Sequence, residues 1–226
     1  MARPSLNPEQ RAERRRQLLD AAHRLFGLRR ELPTVAAIAD SAGVSKGSVY
    51  LWFTSKEEIF IALLQDNFEQ LMHGIAGLIA DLPADAELAA MRFGAGLPLL
   101  LRQLPDLLPL AAMTNAVLEK NLPLEDILAF KQQLALGLSQ EGGLLEARLT
   151  GLASGAGADL LLRSWALCMG LWQSLDYPDE VLPLLARAEL QILARNFNDE
   201  LRLSLCQLWR GALLARAGDP LLGPLT

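Results

Sequence analysis

The sequence predicts an all-α fold: an N-terminal three-helix helix-turn-helix domain over residues 1–56 and a larger C-terminal helical bundle domain over residues 57–226. Three observations carry that prediction. Apolar residues recur at three- and four-residue spacing, as on helices that bury one stripe. From Lys56 onward no segment alternates with period two and β-branched residues are few, so strands have no support. Ser, Thr and Asn stand at candidate helix starts, with Gly and Pro at candidate ends.

Asn7-Pro8-Glu9 opens the first helix, with an N-cap residue, a proline at the first helical position and an acid in the first turn. Leu18, Leu19, Ala22, Leu25 and Phe26 give it one apolar face. The run Arg29-Arg30-Glu31-Leu32-Pro33 interrupts it, and Thr34 caps a short second helix with Val35, Ile38, Ala39 and Ala42 on one side. Gly43 ends that helix, because a residue without a Cβ takes the left-handed conformation there at no steric cost. Ser45 then starts a third helix expected to reach Phe53. Its Val49 and Phe53 face inward, leaving Lys46, Gly47, Ser48 and Tyr50 outside. Helix, glycine turn and helix together make a helix-turn-helix pattern.

A fourth helix is expected from Lys56 to about Ala80, with breaks at Leu82-Pro83, from Gly94 to Pro98, at Pro105 and Pro123, at Gly142-Gly143, from Gly151 to Gly157, at Pro178 and Pro183, and near Asn196–Asn198. About six more helices fit between them. Leu160–Trp172 is apolar almost all round and is expected to be buried on every side. Phe197–Leu214 presents Leu201, Leu205, Leu208 and Trp209, and the tail GDPLLGPLT is expected to fray.

Composition narrows the function. At 51% hydrophobic and 21% charged residues the chain should be globular, and it has no continuous apolar run of membrane-spanning length. The first residues, MARPSLNPEQRAERRRQ, lack the apolar segment of a secretory signal, so the expectation is a cytoplasmic protein with no membrane partner. Cys168 and Cys206, far apart and each in an apolar helical context, read as buried free thiols rather than a disulfide. The net charge of −5 is uneven: ten Lys/Arg against five acids give residues 1–56 a charge of +5, and the remainder carries −10. A basic head on an acidic body suggests a polyanion for the head alone. Enzyme chemistry finds little support. His23 and His73 are far apart, no His-Glu-x-x-His, Cys-x-x-Cys or Gly-x-Ser-x-Gly occurs, and GLASGAGADLL lacks both the Gly-Lys-Ser/Thr ending and the preceding strand of a phosphate loop. No catalytic residue, metal site or cofactor is expected.

Within Ala42–Phe60, AGVSKGSVYLWFTSKEEIF, the dipeptide Ser-Lys occurs twice, at Ser45-Lys46 and Ser55-Lys56. Both serines read as N-caps, and Glu58 completes a capping box with Ser55. A lysine at a helix start is opposed by about 0.3–1 kcal/mol, because the N-terminal end of the backbone dipole is positive. A nucleic-acid phosphate would supply the missing anion, held by free N–H groups and the lysine together.

These residues also carry a resemblance. TVAAIADSAGVSKGSVYLWFTSKEEIF is similar to the pattern of the tetracycline-repressor-like (TetR/AcrR) transcriptional regulators: Ile-Ala, Ala-Gly-Val-Ser, Tyr-x-x-Phe, then Ser-Lys-Glu-Glu. With LLDAAHRLF it covers roughly residues 8–64. The junction RRELP departs from it, being one residue shorter and lacking the family's glycine and aromatic; Leu32 would take over the anchoring. The resemblance implies that Lys46, Gly47 and Ser48 lie at the major-groove end of the recognition helix, and that Thr34, Tyr50, Trp52 and Lys56 touch phosphates or sugars. Ser45 is a cap on either reading. Tyr50 and Trp52 are also readable as packing aromatics, and the run Arg14–Arg16 as a solvated face. Lys46 and Lys56 are the principal candidates.

Short recognition helices gain affinity by dimerising on a palindromic operator in double-stranded DNA, with half-sites about 34 Å or a multiple apart. The resemblance places a homodimer interface on the two late apolar helices, which are otherwise simply core. It also implies a small-molecule effector pocket in the middle helices. Candidate lining residues are Met91, Phe93, Met113, Phe130, Trp165, Met169 and Trp172, with Arg102, Asn115, Gln132 and Gln133 as polar anchors. The scarcity of charge there favours an apolar or amphipathic ligand. The function expected is a repressor released from its operator by such a ligand; the alternative is a constitutive DNA-binding regulator without an effector.

Overall fold

Asn7 begins the first helix with a reciprocal cap. Its side-chain oxygen accepts from the Gln10 N–H at 2.8 Å, and Gln10 Oε1 accepts from the Asn7 N–H at 3.1 Å. The structure, a computed structural model, describes residues 7–29, 31–114 and 119–214. Among them are nine α-helices and no strand: α1 (Pro8–Arg29), α2 (Val35–Ser41), α3 (Lys46–Val49), α4 (Lys56–Ala80), α5 (Ala86–Leu101), α6 (Leu107–Met113), α7 (Leu124–Arg148), α8 (Ala156–Leu175) and α9 (Phe197–Leu214). Arg30 and the tail expected to fray lie outside the described residues.

By their contacts, residues 1–69 and 105–132 form one unit, and 70–104 and 133–226 another, so α4 and α7 each contribute to both. This grouping is a different partition from a cut at residue 56.

In the first unit, α1 buries Leu18, Leu19, Ala21, Ala22 and Phe26, while residues 8–17 are exposed. Val35, Ile38 and Ala39 of α2, Val49 and Phe53, and Ile59, Phe60 and Leu64 of α4 are buried with them. The Phe26 and Phe60 rings sit 5.7 Å apart, tilted at 55°. His23 Nε2 lies 2.7 Å from the buried Asp106 carboxylate at the start of α6, which makes no capping bond of its own.

In the second unit α9 packs across α5 and α8. Trp209 is fully buried, stacked on Phe93 at 3.8 Å, and its indole N–H donates to Ser164 Oγ at 3.0 Å. The Ser164 hydroxyl donates in turn to the Leu160 carbonyl at 2.7 Å, so no polar group of this buried stack lacks a partner. Asp85 caps α5 by accepting from the Leu88 N–H at 2.9 Å.

Three expectations are corrected. Gly94 and Pro98 lie inside a continuous α5, and Gly142-Gly143 inside a continuous α7. Gly94 and Gly142 mark helix crossings: a Cβ at Gly94 would fall 2.5 Å from Cys206 Sγ, and one at Gly142 would strike the backbone of Ala158 on α8, whereas one at Gly143 would meet nothing within 4 Å. The described residues after α4 consequently hold five α-helices rather than about six, with short 3₁₀ turns at Glu119–Asn121, Leu182–Ala186 and Ala188–Leu193. Lastly, α8 is buried on one face only, through Leu160, Leu161, Ser164 and Cys168, while Leu162 is 51% exposed. Both cysteines are free. Burial pushes the Cys168 thiol up to about 12, and Cys206 is half-buried with its S–H directed at the Ala90 carbonyl.

Candidate nucleic-acid interface

The turn between α2 and α3 is built from the backbone outward. Ala42 caps α2, Gly43 takes φ +67°, and the Val44 N–H reaches back to the Ala39 carbonyl at 3.0 Å while the Gly43 N–H bonds Asp40 at 3.2 Å. That pair of bonds is a Schellman closure, and it needs the left-handed residue that glycine supplies. Thr34 opens α2 by accepting from the Ala37 N–H at 3.2 Å; Ser45 opens α3 by accepting from the Ser48 N–H at 3.2 Å. Ser48 Oγ sits 2.8 Å from Ser45 Oγ, so its hydroxyl belongs to the cap.

Expected to span Ser45–Phe53, α3 is regular only over Lys46–Val49. The chain continues as a tight turn, with the Trp52 and Phe53 N–H groups both bonded to the Val49 carbonyl, at 2.9 and 3.1 Å. Val49 and Phe53 are buried and fix the element from behind. What faces outward is Lys46, Gly47, Tyr50 (49% exposed) and Leu51 (75% exposed), with Ser48 and Trp52 half-buried. Thr34 is exposed nearby in sequence, its hydroxyl engaged in the cap. Leu51 was not among the sequence candidates. The available signal was an apolar side chain in a segment whose neighbours face outward.

The two Ser-Lys starts differ in charge. No acid occupies the first turn of α3, whereas α4 begins with Glu57 and Glu58. Ser55 caps α4 as expected, accepting from the Glu58 N–H at 3.1 Å, but the Glu58 carboxylate reaches one residue further back than a capping box predicts, accepting from the N–H and hydroxyl of Thr54 at 2.5 and 2.9 Å. Lys56 lies 3.9 Å from Glu57. The mismatch of cation and helix start thus stands at Lys46 and is compensated from within the chain at Lys56.

The arginines of α1 hold defined positions. Arg15 lies over the Phe53 ring at 5.3 Å, a packing role. Arg14 donates to Gln17 at 2.9 Å, Arg16 lies 3.4 Å from Glu13, and Arg24 donates to Ser41 Oγ at 3.3 Å, tying α1 to α2.

The effector-pocket candidates fall in both units. Met113, Phe130 and Gln132 belong to the first, and Met91, Phe93, Arg102, Gln133, Trp165, Met169 and Trp172 to the second. Two are core: Phe93 is stacked on Trp209, and Phe130 is buried against Phe68 with ring centres 6.2 Å apart. Met91 is 54% exposed on an open groove of about 440 Å³ shared with Asp81, Pro83, Leu88 and Arg92; Arg102, Gln132 and Gln133 are also exposed. Met113, Trp165, Met169 and Trp172 are half-buried, with Trp172 edge-on to Phe197 at 5.5 Å, and Asn115 lies outside the described residues. Among the described residues no helix is long and apolar enough to cross a membrane.

Comparison with known proteins gives two family matches. Residues 18–63 match the bacterial regulatory proteins of the tetR family, and residues 65–216 the tetracyclin repressor-like C-terminal domain. The chain is similar to the HTH-type transcriptional repressor Rv1474c of Mycobacterium tuberculosis, at 30% identity over 36% of this chain and 46% of that protein. It is also similar to the HTH-type transcriptional activator FasR of Mycolicibacterium smegmatis, at 44% identity over 29% of this chain and 30% of that one. The chain therefore spans less than half the length of these curated relatives. A TetR-family transcriptional regulator from Mesorhizobium loti shares the fold, with a TM-score of 0.60 at 16% identity over 90% of this chain and 96% of that chain. So does the fatty acid degradation regulator FadR from Bacillus halodurans, with a TM-score of 0.55 at 19% identity over 94% of this chain and all of that one.

Proposed function

The chain belongs to the TetR family of bacterial regulatory proteins, and from that premise we propose that it is a cytoplasmic, homodimeric repressor that binds a palindromic operator in double-stranded DNA and leaves it on binding a small apolar or amphipathic effector. The observation that carries the DNA reading is the outward face of α3: Lys46, Gly47 and Tyr50 project from an element pinned by Val49 and Phe53, and its first turn holds a cation and no acid. Lys46 offers three donors to base-edge or phosphate acceptors, and the free N–H groups of the first turn favour a phosphate oxygen. Thr34, Ser45, Ser48, Tyr50, Trp52 and Lys56 complete the proposed contact set, chiefly toward phosphate and sugar.

The dimer reading is supported by apolar surface on the last two helices, where Leu162 of α8 and Leu203 and Leu214 of α9 are about half exposed, at 51%, 48% and 56%. The effector acts as a population shift. It favours a dimer state whose two recognition elements no longer match successive major grooves, and its differential affinity for the two states sets how far operator occupancy falls.

Selection of bound fragments from random-sequence duplex DNA tests the proposal. The expected result is an enriched inverted repeat with half-sites about one helical turn or a multiple apart. Failure to retain any duplex in a salt-sensitive manner, without effector, would overturn it. For the effector, a metabolite library read by thermal denaturation should contain a compound that raises the melting temperature, since binding to the folded state alone stabilises by mass action.

A further inference from the structure

An exposed leucine is unremarkable on most surfaces. Leu51 differs by its position, inside the turn that follows α3, between Tyr50 and Trp52, and 75% exposed. Its side chain has neither donor nor acceptor, so it gains nothing from a phosphate or from a polar base edge. Four residues earlier stands Gly47, also exposed. A Cβ there would meet nothing within 4 Å, and its φ lies outside the left-handed region. Neither packing nor backbone conformation inside the chain calls for glycine, which is less favourable than alanine in a helix. The outward surface thus pairs bare backbone at 47 with an isobutyl group at 51, beside the single cation Lys46.

The major groove offers one apolar feature in each A·T pair, the C5 methyl of thymine, while the acceptors of guanine suit a lysine. Resting on the duplex-binding reading above, we infer that Leu51 reads a thymine methyl in the major groove and that the missing side chain at Gly47 gives the clearance for the bases to reach it. Lys46 and Leu51 then divide the readout. The lysine recognises acceptor-rich edges, and the leucine discriminates thymine from cytosine at a neighbouring step.

The test uses the full-length chain and the duplex enriched by random selection, resynthesised with each thymine in turn replaced by deoxyuridine, which deletes only the methyl. For the unsubstituted protein, one thymine in each half-site should show about a three- to fivefold loss of affinity, the effect of exposing roughly one buried methyl. The variant Leu51→Ala should bind the thymine and uracil duplexes equally while keeping its preference at the other positions. Leu51 is exposed, so the variant should fold, with unchanged circular dichroism and thermal midpoint. The inference is overturned if Leu51→Ala keeps the same thymine-over-uracil ratio, or if no thymine discriminates although the duplex is still bound selectively. Absence of selective binding by the unsubstituted protein overturns the duplex reading itself, and the inference with it.

Discussion

Helices α3 and α4 begin with the same dipeptide, Ser-Lys, and with the same serine cap, yet their first turns are opposite in charge. At α4 the chain supplies its own anions: Glu58 is folded back onto Thr54, and Glu57 stands 3.9 Å from Lys56. At α3 Ser45 caps the Ser48 N–H, and the first turn holds no acid to answer Lys46. A helix start satisfied internally is a structural joint, and one left electropositive on an exposed surface is suited to an external anion. The repeated dipeptide therefore marks two different jobs, and only the residues that follow it tell them apart.

Substitutions at the two starts sharpen the contrast. The largest effect is expected from Lys46→Ala combined with Tyr50→Ala, which should lower operator affinity by on the order of 100-fold or more while sedimentation shows an unchanged dimer. Survival of binding in that double variant would place the contact surface elsewhere. Glu58→Ala should act on the fold instead, costing about 1 kcal/mol in denaturant unfolding by freeing the Thr54 N–H and one end of α4. Lys56→Ala should weaken binding to all sequences alike, by a few-fold, and reduce the slope of log affinity against log salt by about 1. The smallest effect is the most diagnostic. In unfolding measured without DNA, Lys46→Ala should stabilise the protein by at most a few tenths of a kcal/mol, the repulsion expected at so short a helix, and Lys56→Ala should change nothing, because Glu57 offsets its charge.

Much of this was legible from the chain. The starts at Asn7, Thr34, Ser45 and Ser55, the left-handed Gly43 and the span of α4 follow from local chemistry, because caps and glycine turns are satisfied within a few residues. Glycines in the second unit were not legible in the same way. Gly94 and Gly142 look like breaks along the sequence, and only the neighbours brought in from α9 and α8 show that they are points of close approach. Exposure was equally hidden: Phe93 and Met91 sit two residues apart on α5, one stacked in the core and the other at the surface. Leu51 is not legible from residue type, because apolar character ordinarily signals the interior, although four-residue spacing puts it on the face of the exposed Gly47 and away from Val49 and Phe53.

Where α7 passes α8, Gly142 and Gly157 bring the two main chains so close that either residue enlarged by one carbon would strike the other helix. The Gly157 N–H is further tied to Glu146 at 3.0 Å. A crossing of this kind has no intervening layer of side chains. An added methyl at either glycine would meet main-chain atoms, which cannot rotate away as a side chain can, so alanine at 142 or 157 would force α7 and α8 apart.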